Sequence, residues 1–238
     1  MTPAVPARPA AGPTNASLRH PLTRGLVALT FTTGVVDAVS YLGLGRVFTA
    51  NMTGNVVLLG FGIVGGFGLP VLAPIVSLLA FLVGSAVGGE LGRRLGDRHA
   101  VHISVALVIE VVLIAVCAVL TAAVTVHPNA FSGDAVIALL AFAMGVRNAT
   151  VRRLAVPDLT TTVLTMTLTG LAADSRIAGG DGAGSARRIV AVVAMFAGAC
   201  AGAGAVKASL TLALSIAAAL ALVTWVLYVP AAVRAARG

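Results

Sequence analysis

With 58% hydrophobic residues and only 10% charged ones among its 238, the chain is too apolar for a soluble domain and reads as an integral protein of the lipid bilayer. A net charge of +8 would suit a nucleic-acid partner in a soluble protein. Here the arginines cluster in short segments between apolar stretches, as membrane topology alone requires, so no nucleic-acid partner is expected.

Residues 1–20, rich in Pro, Ala and small polar residues, read as a disordered cytoplasmic tail, and 21–238 as a single membrane domain. The first apolar segment, 22–45, is too long for a signal-peptide core, carries Asp37 and has no small-x-small cleavage site, so it reads as the first membrane helix. A polar break follows, Phe48-Thr-Ala-Asn-Met-Thr-Gly-Asn-Val56, and opens a shorter apolar segment, 51–67. Long apolar segments at 69–91 and 101–126 complete the first half, the second of them carrying Glu110. The second half repeats this order: a long segment at 132–154 with Arg147 and Asn148, a polar-rich stretch from Leu159 to Leu168 opening the short segment 160–172, then long segments at 189–206 and 208–229.

The two halves share more than their order. Gly34-Val-Val-Asp37-Ala38 lies in register with Gly145-Val-Arg-Asn148-Ala149 at an offset of 111 (145 − 34 and 148 − 37). One extra residue near Leu164 then brings Thr53 onto Thr165 and Asn55 onto Thr167. This is the pattern of a diverged duplication, with repeat 1 at about 22–126 and repeat 2 at about 132–230. If all eight segments crossed, the basic residues would divide evenly between the two sides. If the two short segments enter and leave on one side, only Arg46 and Lys207 of the sixteen basic residues lie outside. The positive-inside rule therefore selects six transmembrane helices with both termini cytoplasmic, in the inner (plasma) membrane. Three crossings per half is an odd number, so the expected fold is all-α, two inverted three-helix repeats, each with a re-entrant or broken-helix segment. Asp37 and Asn148 fall at mirrored depths, both roughly 22–24 Å along a ~30 Å span.

Paired interruptions in duplicated halves are where a transporter holds its solute. Non-helical backbone at that depth needs protein or a wet cavity to satisfy its peptide groups. The candidate pathway residues are Asp37, Asn51, Thr53 and Asn55 in the first half, with Arg147, Asn148, Asp158, Thr160, Thr162, Thr165 and Thr167 in the second. The Asn and Thr side chains are also good helix caps, and a structural capping role is the plain alternative. Asp37 and Glu110 are the candidate proton-coupling groups, since loss of water disfavours a charged carboxylate. Arg147 pairs with an acid, meets an anionic substrate, or reaches back to the interface. Cys117 and Cys200 lie in apolar stretches without CxxC spacing and read as packing residues. The four histidines lack metal-ligand spacing; His99 and His102 could share a helix face but have no third ligand. No P-loop, HExxH or GxSxG is present, so neither an enzymatic activity nor a cofactor is expected. Gly84-Ser-Ala-Val-Gly88 and Gly198-Ala-Cys-Ala-Gly202 have small-xxx-small spacing on equivalent helices and predict close helix packing, within the monomer or at a homodimer interface.

Gly34-Val-Val-Asp-Ala-Val-Ser-Tyr41, Phe48-Thr-Ala-Asn-Met-Thr-Gly-Asn55, Gly145-Val-Arg-Asn-Ala-Thr150 and Thr160-Thr-Thr-Val-Leu-Thr165 resemble the YoaK-like membrane protein family, over about residues 22–229. The family pattern favours Gly where this chain has Met166. The family is largely uncharacterised, so the resemblance implies the membrane class and the importance of these segments, and no substrate. The expected function is an ATP-independent permease for a small polar or anionic solute held between the two polar segments. A non-transporting scaffold or regulatory protein is the alternative; short loops, the longest around 174–188, offer a soluble partner little surface and favour transport.

Overall fold

The structure, a computed structural model, describes residues 18, 20–65, 68–96, 98–154 and 164–235. Asp158, Thr160 and Thr162 lie outside these, as does nearly all of the 1–20 tail, so the expectations for them are not addressed.

Among the described residues, eight α-helices follow in chain order: α1 (Pro21–Val39), α2 (Met52–Val64), α3 (Leu72–Leu95), α4 (His99–Ala123), α5 (Phe131–Leu154), α6 (Leu164–Ala173), α7 (Ser185–Ala208) and α8 (Leu210–Ala235). Six are long and apolar enough to cross a bilayer. The other two are shorter among the described residues: α2 with 13 and α6 with 10 reach roughly 20 and 15 Å at 1.5 Å per residue, short of a ~30 Å hydrocarbon core. The protein is therefore an all-α membrane protein with six candidate spans and two short apolar helices, as the sequence leads one to expect.

Local chemistry sets the helix ends. Pro21 opens α1 at a position needing no N–H, and His20 Nδ1 accepts the Leu22 N–H at 3.2 Å. Within α1, the hydroxyls of Thr30, Thr32 and Thr33 donate to the carbonyls of Leu26, Ala28 and Leu29, which satisfies them without water. The helix then widens into a π-turn over Ser40–Gly45, ended by Arg46 in the left-handed conformation. Tyr41 of that turn stacks on Phe48 with ring centroids 4.9 Å apart. The chain is thereby turned back inward to start α2.

Packing divides the helices into two kinds. In α1 and α5, which carry the most polar membrane windows, 67% and 61% of the window is buried in protein, against a third or less in the other four spans. Polar side chains are costly against lipid, so these two helices occupy the centre and α3, α4, α7 and α8 face outward. Central helix α1 packs on α7 and α8, α5 packs on α3 and α4, and α4 crosses α8. The short helices lean on their neighbours, α2 on α3 and α6 on α7. This set of pairings is unchanged when each helix of the first half is exchanged for its counterpart in the second. The apolar centre, with Val35, Val36 and Val39 of α1, Ile114 of α4, Ile137, Leu140 and Met144 of α5, and Leu214 of α8, lies where those four helices meet.

The small-residue stripes lie within the monomer. A Cβ at Gly34 would strike Met195 O of α7, and one at Gly198 would strike Phe31 O of α1. The same contact recurs between α5 and α3, where Gly145 faces Phe81 O and Gly84 faces Phe142 O. Gly88 and Gly202, one turn on, abut Val146 and Val35. The outer-helix partners keep one offset, 114 (198 − 84 and 202 − 88). Only glycine permits this backbone approach, which is how helices gain packing energy where lipid gives no hydrophobic drive to associate.

Candidate functional site

The polar break after α1 is held by four side chains. Asp37, buried near the end of α1, accepts the backbone N–H groups of Thr49 (3.1 Å) and Ala50 (2.9 Å) on one carboxylate oxygen. Asn55, in the first turns of α2 and fully buried, grips the peptide of Phe48 from both sides: its Oδ1 accepts the Phe48 N–H at 2.9 Å and its Nδ2 donates to the Phe48 carbonyl at 2.7 Å. Ser77 of α3 donates to the same carbonyl at 2.7 Å and accepts from Asn55 Nδ2 at 3.1 Å. Asn51 is the N-cap of α2, its Oδ1 accepting the Gly54 N–H at 3.2 Å, and it is exposed, as is Thr53. Backbone that leaves the helix at membrane depth must find partners inside the protein, and Asp37, Asn51 and Asn55 supply them to residues 48–54.

Removing the Asn55 amide leaves the Phe48 N–H with no partner and its carbonyl with only Ser77. Asn55→Ala is therefore expected to lower stability by roughly 2–4 kcal/mol, one to two unsatisfied buried groups at about 1–3 each, read as a lower unfolding midpoint in detergent. A loss under about 1 kcal/mol would refute the grip.

Beside this break lies a buried charge cluster joining three helices. Arg147 of α5, 1% exposed, donates from Nη1 to Glu110 Oε1 of α4 at 2.8 Å and to the Leu29 carbonyl of α1 at 3.3 Å. Its Nη2 donates to Thr33 Oγ1 of α1 in a very short hydrogen bond and contacts Met144 Sδ at 3.0 Å. Arg147 thus pairs with an acid and does not reach the interface. It is also near enough to Asp37 for the two charges to interact. Thr49 Oγ1, Glu110 Oε2 and Arg147 Nε are buried without a hydrogen-bond partner among the described residues.

The remaining candidates scatter. Asn148 is half-buried on α5; on α6 Thr167 is buried and Thr165 exposed. Glu90 is bridged by Arg93 and Arg94 on the exposed end of α3, and Asp174 by Arg188 at 2.9 Å. His102, in the first turn of α4, is 2% exposed, its Nε2 3.2 Å from the Gly88 carbonyl and 3.1 Å from Thr150 Oγ1. Among the described residues no group of three His, Cys, Asp or Glu could hold a metal ion. Thr33, Thr49 and Ser77 belong to these two clusters and were not singled out from sequence. Ser77 alone left a signal, as a polar residue in the otherwise apolar first turns of α3.

Comparison with known proteins fits this architecture. A family model described as "Protein of unknown function (DUF1275)" matches residues 25–227. The chain is also similar to the UPF0700 transmembrane protein YoaK of Bacillus subtilis (strain 168), with 48% identity over 54 residues, 23% of this chain and 24% of that one. The matched stretch thus spans about a quarter of that relative's length. No solved structure matches the chain.

Proposed function

The chain belongs to the DUF1275 family, and from that premise we propose that it is an ATP-independent permease for a small polar solute, with its pathway between two inverted three-helix repeats and around the α1–α4–α5 charge cluster. One observation carries this reading: Asp37, Glu110 and Arg147 are all buried within membrane-spanning helices, where an ionisable side chain is expensive enough to imply use. The pairing of α1–α7 with α5–α3, the matched glycine contacts and the positive-inside distribution support inverted repeats with both termini cytoplasmic. The Arg147 guanidinium is already paired with the Glu110 carboxylate, which makes the cluster a poor host for an anion while both are ionised. The cluster favours a proton or a cationic group, and Glu110 Oε2, which has no hydrogen-bond partner among the described residues, is the oxygen that would take it. Asp37 and Asn55, which anchor the backbone of residues 48–50, hold the wall of the pathway rather than the solute.

A second reading, a membrane protein that does not transport, is favoured by that same use of Asp37 and Asn55 as backbone anchors. Ligand-induced stabilisation of the purified protein against a metabolite panel separates the two. A solute at a hundred times its Kd is expected to stabilise by about 2.7 kcal/mol, and Glu110→Gln to abolish the gain while leaving the protein folded. No stabilisation by any solute, with Glu110→Gln only less stable, would favour the second reading.

A further inference from the structure

We propose that the groove between α1, α7 and α8 is a binding site for one anionic phospholipid, a site independent of whether the chain carries a solute. The groove holds about 470 Å³ and its floor is apolar, with Val27 and Phe31 of α1, Ala194 of α7 and Leu220 of α8 among its walls. That is within the size of ligand sites generally, roughly 300–1,000 Å³. Its polar end is built by Arg24 and Tyr228.

The depth of each residue matches a lipid. Arg24 is in the first turn of the span Pro21–Gly45, and Tyr228 is in the last turn of Leu210–Ala231, so both stand at headgroup level on the same side. From Arg24 to Phe31, and from Tyr228 to Leu220, the helices rise roughly 10–12 Å into the hydrocarbon. A guanidinium and a phenol at the interface above an apolar channel between helices is the arrangement that holds a phosphodiester headgroup and one acyl chain. Gly25 sets the width of the polar end: a Cβ there would lie 3.1 Å from Tyr228 Cβ, so glycine lets Tyr228 lie against α1.

The cation is available. Arg24 is exposed, and the one side-chain hydrogen bond it makes among the described residues is from Nε to the Leu18 carbonyl at 3.4 Å, which steadies the guanidinium and leaves both Nη groups for a ligand. Arginine offers these as a fork suited to two phosphate oxygens. The feature belongs to one half only. By the offset of 111 the position matching Arg24 in the other half is Ala135, which cannot pair with a phosphate.

The test measures lipid binding to the full-length protein in neutral detergent by native mass spectrometry and thermal stability, comparing phosphatidylglycerol with phosphatidylcholine of identical chains. At least a tenfold preference for phosphatidylglycerol is expected, at one lipid per chain. Arg24→Gln should reduce that preference to about twofold or less. Arg152→Gln, which removes an exposed arginine at the end of α5, should leave it intact. Val27→Trp, filling the apolar floor, should weaken both lipids. Free glycerol phosphate should neither bind nor stabilise, because it lacks the chain. Equal binding of the two lipids, equal losses in both arginine variants, or saturation by glycerol phosphate would each overturn the proposal. The last would mark an anion site without a lipid. A dimer that forms in place of lipid binding and is broken by Val27→Trp would also overturn it, in favour of a second copy.

Discussion

Arg147→Ala is expected to destabilise the protein by about 3–5 kcal/mol, because it strands the Glu110 carboxylate in a fully buried site with no counter-ion. The loss is not the strength of one ion pair. Arg147 also supplies the donors taken by the Leu29 carbonyl and Thr33 Oγ1, so the variant removes the polar joint between α5 and α1 together with that between α5 and α4. The double variant Arg147→Met with Glu110→Leu separates these terms. Replacing both charges with apolar groups of similar size avoids the stranded carboxylate, so most of the stability should return, as it does for other buried pairs. If the charges exist for function, the double variant folds and binds no solute. Unfolding midpoints of the two variants in detergent provide the check. A loss below 1 kcal/mol in Arg147→Ala would mean that water reaches the pair.

The second large effect is steric. Gly198→Val should cost at least about 3 kcal/mol, the upper end of the range for overpacking, because its new Cβ points at the Phe31 carbonyl, which belongs to helix backbone and cannot rotate away. The helices α1 and α7 would have to separate along the stripe that continues through Gly202, losing the close contact from which they gain their packing energy. Gly84→Val should do the same to α3 and α5 by a similar amount. Gly204 and Gly89 are the controls: a Cβ at either meets nothing within 4 Å, so Ala there should be neutral or stabilise by up to about 1 kcal/mol through helix propensity. Thermal midpoints of the four variants test this. If Gly198→Val and Gly84→Val resemble Gly204→Ala, the helices are further apart than described here.

Several features were legible from the residues because they depend on local composition. Apolar length marks six long segments and two short ones, and the distribution of basic residues selects six crossings over eight. The polar break at 48–55 stands out against its apolar neighbours, and the glycine spacing of α3 and α7 announces a close contact before its partner is known. The sequence could list Asp37, Glu110 and Arg147 as costly charges. It could not join them, since Arg147 pairs with Glu110 across 37 positions and with Thr33 across 114.

Nor could spacing show that Asp37 receives N–H groups 12 and 13 residues on, or that Asn55 closes on the peptide of Phe48 with help from Ser77, 22 residues away. These are consequences of which face each helix turns inward, and a helix apolar around its whole circumference does not declare that face. Composition placed this chain in the membrane because transfer from water to lipid sums over residues one at a time. Its long-range polar contacts were decided by tertiary structure alone, because inside the membrane each polar group must be met by whichever partner packing brings within hydrogen-bond reach.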